Sequence, residues 1–409
     1  ADPLRCTGPS KGFGSPGHAM KTQVAIIGGG PAGLLLAQLL DQHGIDSVVL
    51  EKHSRAYVLA RIRAGLLERG FVELMDQAGC GARLKKQGEI HRGIFIARND
   101  ACHRIDLSAL TGGRTVTVYG QTEVTRDLYD ARAAGGGQVF HDVDNVQLHD
   151  ITTKTPYVTY DNDAKRQRID CDFIVGADGF HGVSRHAIPA DVSRSFEKVF
   201  PFGWLGILTR TPPVSPELIY ATHARGFALC TLRSQVLSRY YIQVPNGDTI
   251  TDWPDARFWD EIMARLPGDV AARLVTGPSI EKSIAPLRSF VTEPMRYGAL
   301  FLAGDAAHIV PPTGAKGLNT AASDVYYLYH GLRDFYQKGN STGLDHYSER
   351  AVARVWKAQR FSWWMTNLLH RFDGQTDFDR RLQTSDLDYL LSSKAAMTSL
   401  AENYVGLPY

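Results

Sequence analysis

A chain of 409 residues, 44% hydrophobic, is long enough for two or three domains and a large core. Its formal net charge of +2, with no polybasic run, argues against nucleic acid or a membrane surface as partner. No apolar run approaches the roughly 20 residues that span a bilayer. The five cysteines are scattered without a C-x-x-C pair, which argues against a disulfide framework and a zinc site and suits a reducing cytoplasm.

Residues 1–19 are rich in Gly, Pro and Ser, lack an apolar core and do not read as a secretory signal. Met20 reads as the natural start, and 1–19 as an appended remnant or a disordered extension. Val24-Ala25-Ile26-Ile27 then reads as a short buried strand. The run Gly28-Gly29-Gly30-Pro31-Ala32-Gly33 fits G-x-G-x-x-G, Leu34–Leu40 a helix, and Ser47–Leu50 a second strand with Glu51 at its end. Strand, glycine turn, helix, strand and terminal acid in this order form a dinucleotide fingerprint. Gly28, Gly30 and Gly33 permit a tight turn and close backbone approach to a pyrophosphate. The helix N-terminus offers N–H donors, and Glu51 a ribose acceptor.

Helical spacing follows, crowded with Arg61, Arg63 and Arg69. A guanidinium fork suits phosphate, although a solvated helix face explains a single arginine equally well. His91–Ala97 and Ala101–Leu107 have strand character, and Thr115–Gly120 reads as extended. Gln121–Ala134 reads as a helix with Thr122 as N-cap. Val139–Leu148, Tyr157–Tyr160 and Arg168–Ile174 are strand candidates. The last runs into Gly176-Ala177-Asp178-Gly179. From Phe200 to Pro245 the pattern is aromatic and β-rich, predicting an antiparallel sheet with one covered face. Asp255–Arg265 reads as a helix, Lys282–Val291 as extended, and Ala299–Ala307 as a buried strand entering Gly304-Asp305. Pro311–Leu318 reads as a loop, and Asn319–Tyr329 begins a helical C-terminal region. Trp356, Phe361, Trp363 and Trp364 recur there on one helix, a pattern of core or subunit interface.

Three motifs now stand in series: GGGPAG at Gly28–Gly33, GADG at Gly176–Gly179 and AGDAAH at Ala303–His308. In this order they resemble the class A flavoprotein aromatic hydroxylases. The likeness extends through RIRAGLLE, RTVTVYGQTEVTRDL, DGFHGVSR, FPFGWLG, SRYYIQVP, EKSIAPLRSFV, VPPTGAKGLN, RFSWWMT and AENYVGLPY, from Met20 to Tyr409. It is strongest to the branch that hydroxylates 4-hydroxybenzoate. The resemblance implies an α/β fold: a Rossmann-like FAD-binding domain (20–90, 117–199 and 289–310), an inserted antiparallel-sheet substrate domain (91–116 and 200–288), and a C-terminal helical interface region (311–409). It further implies non-covalent FAD, NADPH and O₂ as co-substrates, a flavin C4a-hydroperoxide as oxidant, no metal, and a cytoplasmic homodimer.

The resemblance also implies roles for particular residues. Arg233, Thr231 and Tyr241 would clamp the substrate carboxylate, with Thr231 standing where the family has Ser. Tyr220, Tyr404 and His91 would relay the phenol proton, ending at a histidine near solvent. Pro312 and Thr313 would put backbone beside the substrate and the flavin, with Lys316 adding positive charge. Gly317, Leu318 and Asn319 would point a helix N-terminus at the flavin. Arg61, Arg63, Gln121, Asp178, Arg239 and Asp305 would contact FAD. For NADPH the implied residues are Arg63, His181, Arg288 and the segment bearing Lys52, His53, Arg55 and Tyr57. That segment is basic and no acidic residue intrudes in its sequence, which predicts a preference for NADPH over NADH.

Overall fold

The computed structural model describes residues 20–61, 63 and 65–409. The expectation for residues 1–19 falls outside the described residues. Two large sheets dominate. One is a six-stranded sheet in the order Arg296–Tyr297, Leu300–Leu302, Phe173–Gly176, Val24–Ile27, Ser47–Leu50, Gln138–Phe140. All neighbours run parallel except the first pair. Its inner strands are unbroken apolar runs buried on both faces, as a parallel sheet covered by helices requires. The helix Pro31–Asp41 packs on it through Leu34, Leu35, Leu36, Leu39 and Leu40.

The other large sheet has eight strands, in the order His308–Ile309, Ser279–Glu293, Arg194–Thr209, Leu237–Pro245, Gly226–Ser234, Ile219–His223, Ile94–Arg98, Ala101–Ile105. It is antiparallel apart from one junction, where Ile219–His223 runs parallel to Ile94–Arg98. One face is covered by the helix Asp255–Arg265 through Phe258, Trp259 and Ile262. The opposite face meets the C-terminal helices Tyr347–Leu369 and Lys394–Val405, with Phe202, Trp204, Tyr220 and Phe227 against Phe361, Met365 and Tyr404.

Several boundaries differ from the sequence reading. Val139–Leu148 is two strands, Gln138–Phe140 and Asp144–His149, parted where Asp142 takes a left-handed φ of 56°. The strand expected over Ala299–Ala307 ends at Leu302, and Gly304–Ala306 forms a 3₁₀ turn with Gly304 at φ 63°. The helix Gln121–Ala134 is capped by Gly120, not Thr122, whose hydroxyl donates to the Arg61 carbonyl at 3.2 Å. The helix expected from Asn319 starts at Gly317 and runs to Lys338. The aromatic stripe divides: Phe361 is buried, while Trp356 and Trp363 are 41% and 46% exposed. No helix among the described residues is long and apolar enough to cross a membrane.

Candidate active site

Strand periodicity assembles the first half of the site. Side chains two apart on a strand share a face, as do residues directly opposite one another in adjacent strands. Tyr220 lies opposite Leu229, Leu229 opposite Tyr241, and Thr231 opposite Arg239. Tyr220, Thr231, Arg233, Arg239 and Tyr241 therefore occupy one face of the eight-stranded sheet. Gly206, opposite Tyr241, leaves a lane on the next strand. A Cβ there would meet the Tyr241 ring at 2.7 Å and Arg239 Nη2 at 2.9 Å. Through that lane Arg239 reaches Glu281, with which it forms an ion pair, and donates to Ser283 at 3.1 Å.

Arg233 has no carboxylate partner among the described residues. Its Nη1 donates to Thr231 Oγ1 at 3.2 Å and to the Leu232 carbonyl at 3.0 Å; its Nη2 donates to Tyr241 Oη at 3.4 Å. Nε is buried without an acceptor, and no described carboxylate pairs with the side chain. Burial and the neighbouring Arg239 pull the guanidinium's proton affinity down, with Tyr241 opposing. Burial alone would raise the Tyr241 phenol, but Arg233 and Arg239 outweigh it and hold it below its ordinary value. Thr231 donates its own proton to the Arg239 carbonyl at 3.0 Å, so toward Arg233 it is an acceptor.

The second half comes from the C-terminal helices. Tyr404 Oη and Tyr220 Oη lie 2.7 Å apart, both rings fully buried. Burial drives both phenols above their usual range. His91 does not lie near solvent: it is 1% exposed in the strand Glu89–His91, with no partner on either ring nitrogen among the described residues. Burial lowers it against the pull of Glu217 and Glu89. The pairing of this short strand with Val116–Val118 turns its third residue into the core. The Tyr220–Tyr404 link is therefore made directly, and the step to His91 is not.

Lys316 also departs from expectation. Its ammonium is buried and donates to Glu68 Oε1 at 2.6 Å and to the Tyr404 carbonyl at 3.1 Å. Arg354 approaches the other Glu68 oxygen at 3.2 Å. Two cations thus share one carboxylate, Glu68, an acid absent from the sequence expectation, and the cluster keeps one net positive charge. Burial lowers the Lys316 pKa, and Glu68 resists that shift. Pro312 is exposed at the head of the 3₁₀ turn Pro312–Gly314. Thr313 turns its hydroxyl inward to Thr366 Oγ1 at 2.9 Å. Ala315, at φ 53°, redirects the chain into the helix Gly317–Lys338. The amides of Gly317, Leu318 and Asn319 precede its first bonded turn. The Asn319 side chain is committed to residues 66–68, donating to the Leu66 carbonyl at 2.8 Å and accepting from the Glu68 amide at 2.9 Å.

The glycine loop forms a cradle. Gly28 sits at φ 114°, and a Cβ there would meet the Ala177 carbonyl oxygen at 2.1 Å. At Gly33 it would meet the Gly28 oxygen at 2.0 Å, whereas at Gly30 it would meet nothing within 4 Å. The turn is therefore closed inward and open outward at the start of a helix, as a pyrophosphate needs. Glu51 accepts from the Gly29 amide at 2.7 Å and the His53 amide at 2.9 Å. Arg63 meets Asp305 at 3.7 Å, joining the glycine-loop unit to the Gly304–Ala306 turn. Asp324, buried in the helix Gly317–Lys338, accepts from the Gly304 amide at 2.9 Å and from His308 Nε2 at 2.5 Å, which fixes that turn. Asp178 Oδ2 accepts from the Ser184 amide and hydroxyl, both at 2.9 Å, while buried Oδ1 has no partner among the described residues. Burial raises its pKa against those two bonds. Arg61 is exposed, and Gln121 opens its helix beside Gly65, whose Cβ would fall 2.8 Å from the Gln121 amide.

His181 and Arg288 meet through Phe180: the rings of Phe180 and His181 are 5.0 Å apart, and Arg288 lies 4.7 Å from the Phe180 centroid. Arg288 also pairs with Glu197 at 3.1 Å. Lys52, His53, Arg55 and Tyr57 lie in or beside the short helix Arg55–Ala60, which Ser54 caps, and the rings of His53 and Tyr57 lie 4.2 Å apart at a tilt of 32°. An acid does intrude: Asp130, distant in sequence, pairs with Arg55.

These features agree with what the chain resembles. Residues 21–362 match the FAD binding domain family. The chain is 58% identical over 392 residues to p-hydroxybenzoate hydroxylase of Acinetobacter baylyi, covering 96% of this chain and 97% of that protein. Its fold is similar to that of p-nitrophenol 4-monooxygenase PnpA from Pseudomonas putida, with a TM-score of 0.79 and 17% identity over 95% of this chain and 100% of that one. The flavin-dependent halogenase CmlS shares the fold as well, with a TM-score of 0.74 and 17% identity over 94% of this chain and 73% of that one. The chain belongs to the family of FAD-dependent aromatic hydroxylases.

Proposed function

We propose that this hydroxylase acts on 4-hydroxybenzoate at C3, converting it with NADPH, a proton and O₂ to 3,4-dihydroxybenzoate, NADP⁺ and water. One observation carries the reading. Arg233, a guanidinium with no carboxylate partner among the described residues, shares a sheet face with Tyr220, whose buried hydroxyl meets that of Tyr404 on the helix Lys394–Val405. An isolated charge inside a protein is costly unless something pairs with it. A small aromatic acid with a hydroxyl at its far end would satisfy both groups.

FAD, when bound, supplies the redox and oxygen chemistry. The glycine cradle with Glu51, Arg61, Arg63, Gln121 and Asp305 would hold it, and the Gly317–Asn319 amides would face its ring. Arg233, steadied by Thr231, takes the carboxylate, and Tyr241 completes that end. In this relay each hydroxyl gives up its own proton as it takes one: the substrate phenol to Tyr220, Tyr220 to Tyr404, and Tyr404 onward to His91, whose ring nitrogens have no hydrogen-bond partner among the described residues. The phenolate so formed is the electron-rich ring that ortho hydroxylation needs. Pro312 and the packed turn after it close the site against water. Lys52–Tyr57, His181 and Arg288 would receive NADPH. The exposed Trp356 and Trp363, with Phe378 and Tyr389, suit an interface between two copies, and buried unpaired thiols suit the cytoplasm.

The test is a coupling assay. Yellow holoenzyme is mixed with NADPH and 4-hydroxybenzoate, and NADPH loss is compared with dihydroxy product. Substrate-dependent loss with near-equal product is expected. Loss without product would mark this acid as a pseudo-substrate, and no stimulation by any aromatic acid would overturn the reading.

A further inference from the structure

The middle glycine of the GGGPAG loop is gripped on both of its peptide groups. Its amide donates to Glu51 Oε2 at 2.7 Å, and its carbonyl accepts from Tyr129 Oη at 3.0 Å. Tyr129 comes from the helix Gln121–Ala134, a hundred residues along the chain, and is buried. Nothing in the glycine fingerprint asks for it. Its hydroxyl fills the space a side chain at Gly29 would need: a Cβ there would lie 2.8 Å from Tyr129 Oη and 2.9 Å from Glu51 Cβ. The tyrosine is held in turn. Its ring faces the Arg55 guanidinium at 5.4 Å and the His141 ring at 5.4 Å, and His141 Nδ1 bonds the His53 carbonyl at 3.0 Å.

Peptide planarity gives this contact a consequence. In a trans peptide the carbonyl and the following N–H point in opposite directions. The Gly29 carbonyl turned inward to Tyr129 therefore turns the Gly30 N–H outward. That amide has no bond among the described residues, and the space at Gly30 is open. We infer that Tyr129 is a positioning residue for FAD: by holding the Gly29 carbonyl, its hydroxyl aims the Gly30 amide at the pyrophosphate. The assignment rests on reading Gly28–Gly33 as the pyrophosphate site.

Tyr129→Phe removes the hydroxyl and keeps the ring. Holoenzyme is diluted in steps, and the rise of flavin fluorescence reports FAD dissociation. A net hydrogen bond is worth enough that the FAD Kd should rise about three- to tenfold, and the melting temperature at saturating FAD should fall by no more than that loss of binding requires. An unchanged Kd overturns the assignment. So does a fall in melting temperature at saturating FAD larger than the lost binding accounts for, since that marks a packing role. Gly30→Asp is the control for the underlying reading. It places a negative charge in open space at the loop and should weaken FAD more than Tyr129→Phe does. If it leaves the Kd unchanged, the pyrophosphate site lies elsewhere and both assignments fall. If it weakens FAD while Tyr129→Phe does not, only the role of Tyr129 fails.

Discussion

Arg233 concentrates the substrate argument in one side chain. Arg233→Met keeps much of the stem's volume and deletes the charge. Hydrogen bonds to a charged group are worth about 1.5–3 kcal/mol, so the substrate Kd should rise roughly ten- to a hundredfold. Titration of the flavin absorbance with 4-hydroxybenzoate measures it, and an unchanged Kd would remove Arg233 from the carboxylate site. Tyr220→Phe separates binding from chemistry. Substrate should still bind, but NADPH oxidation should yield hydrogen peroxide at the expense of dihydroxy product. An unchanged product yield would sink the relay. The identities of these residues were legible in the sequence because they sit inside long matching stretches. Their hydrogen-bond states were not. That Thr231 spends its proton on the Arg239 carbonyl depends on strand register.

At the scale of elements, the helix Tyr347–Leu369 shows what a buried titratable group does to stability. His370 follows its last residue, donates from Nδ1 to the Thr366 carbonyl at 2.9 Å and accepts from Trp204 Nε1 at 2.8 Å, so it is held neutral. Burial depresses its pKa from 6.5 to about 3. The unfolded chain protonates this histidine at a higher pH than the folded chain does. Its contribution is therefore complete above pH 6.5 and is lost as the pH falls toward 3. Thermal melts between pH 7 and 4 should show a falling melting temperature, and His370→Gln, which keeps a donor and an acceptor, should flatten that slope. An identical slope in the variant would assign acid sensitivity to other groups. Helices and strands with strong periodicity, such as Gln121–Ala134 and Asp255–Arg265, are legible from spacing alone. Their ends are less so: Ala303, Ala306 and Ala307 prolong the apolar pattern of the strand Leu300–Leu302, but Gly304's left-handed backbone stops it.

Across the whole molecule, distant segments meet and alter what each residue can do. Asp130 and Arg55 illustrate this for coenzyme choice. Both are substantially exposed, with side chains 42% and 58% accessible for Arg55 and Asp130 respectively, so their ion pair competes weakly with a phosphate. Asp130→Asn should lower the KM for NADPH several-fold and leave that for NADH unchanged, which initial rates with the two coenzymes would measure. Equal shifts for both would detach Arg55 from the 2′-phosphate. The sequence by itself determined the dinucleotide loop and the strand-rich middle, which follow from local periodicity and backbone freedom at glycine, and its resemblance over long stretches gave the family and the expected residues of the site. Only the tertiary structure decided which charges are spent. It paired Lys316 with Glu68 and put Asp130 beside Arg55, and among the described residues it buried His91 without a partner and left Arg233 without a carboxylate. The reason is physical: a charge's effect depends on the distance and burial of partners hundreds of residues away, and no local pattern encodes those.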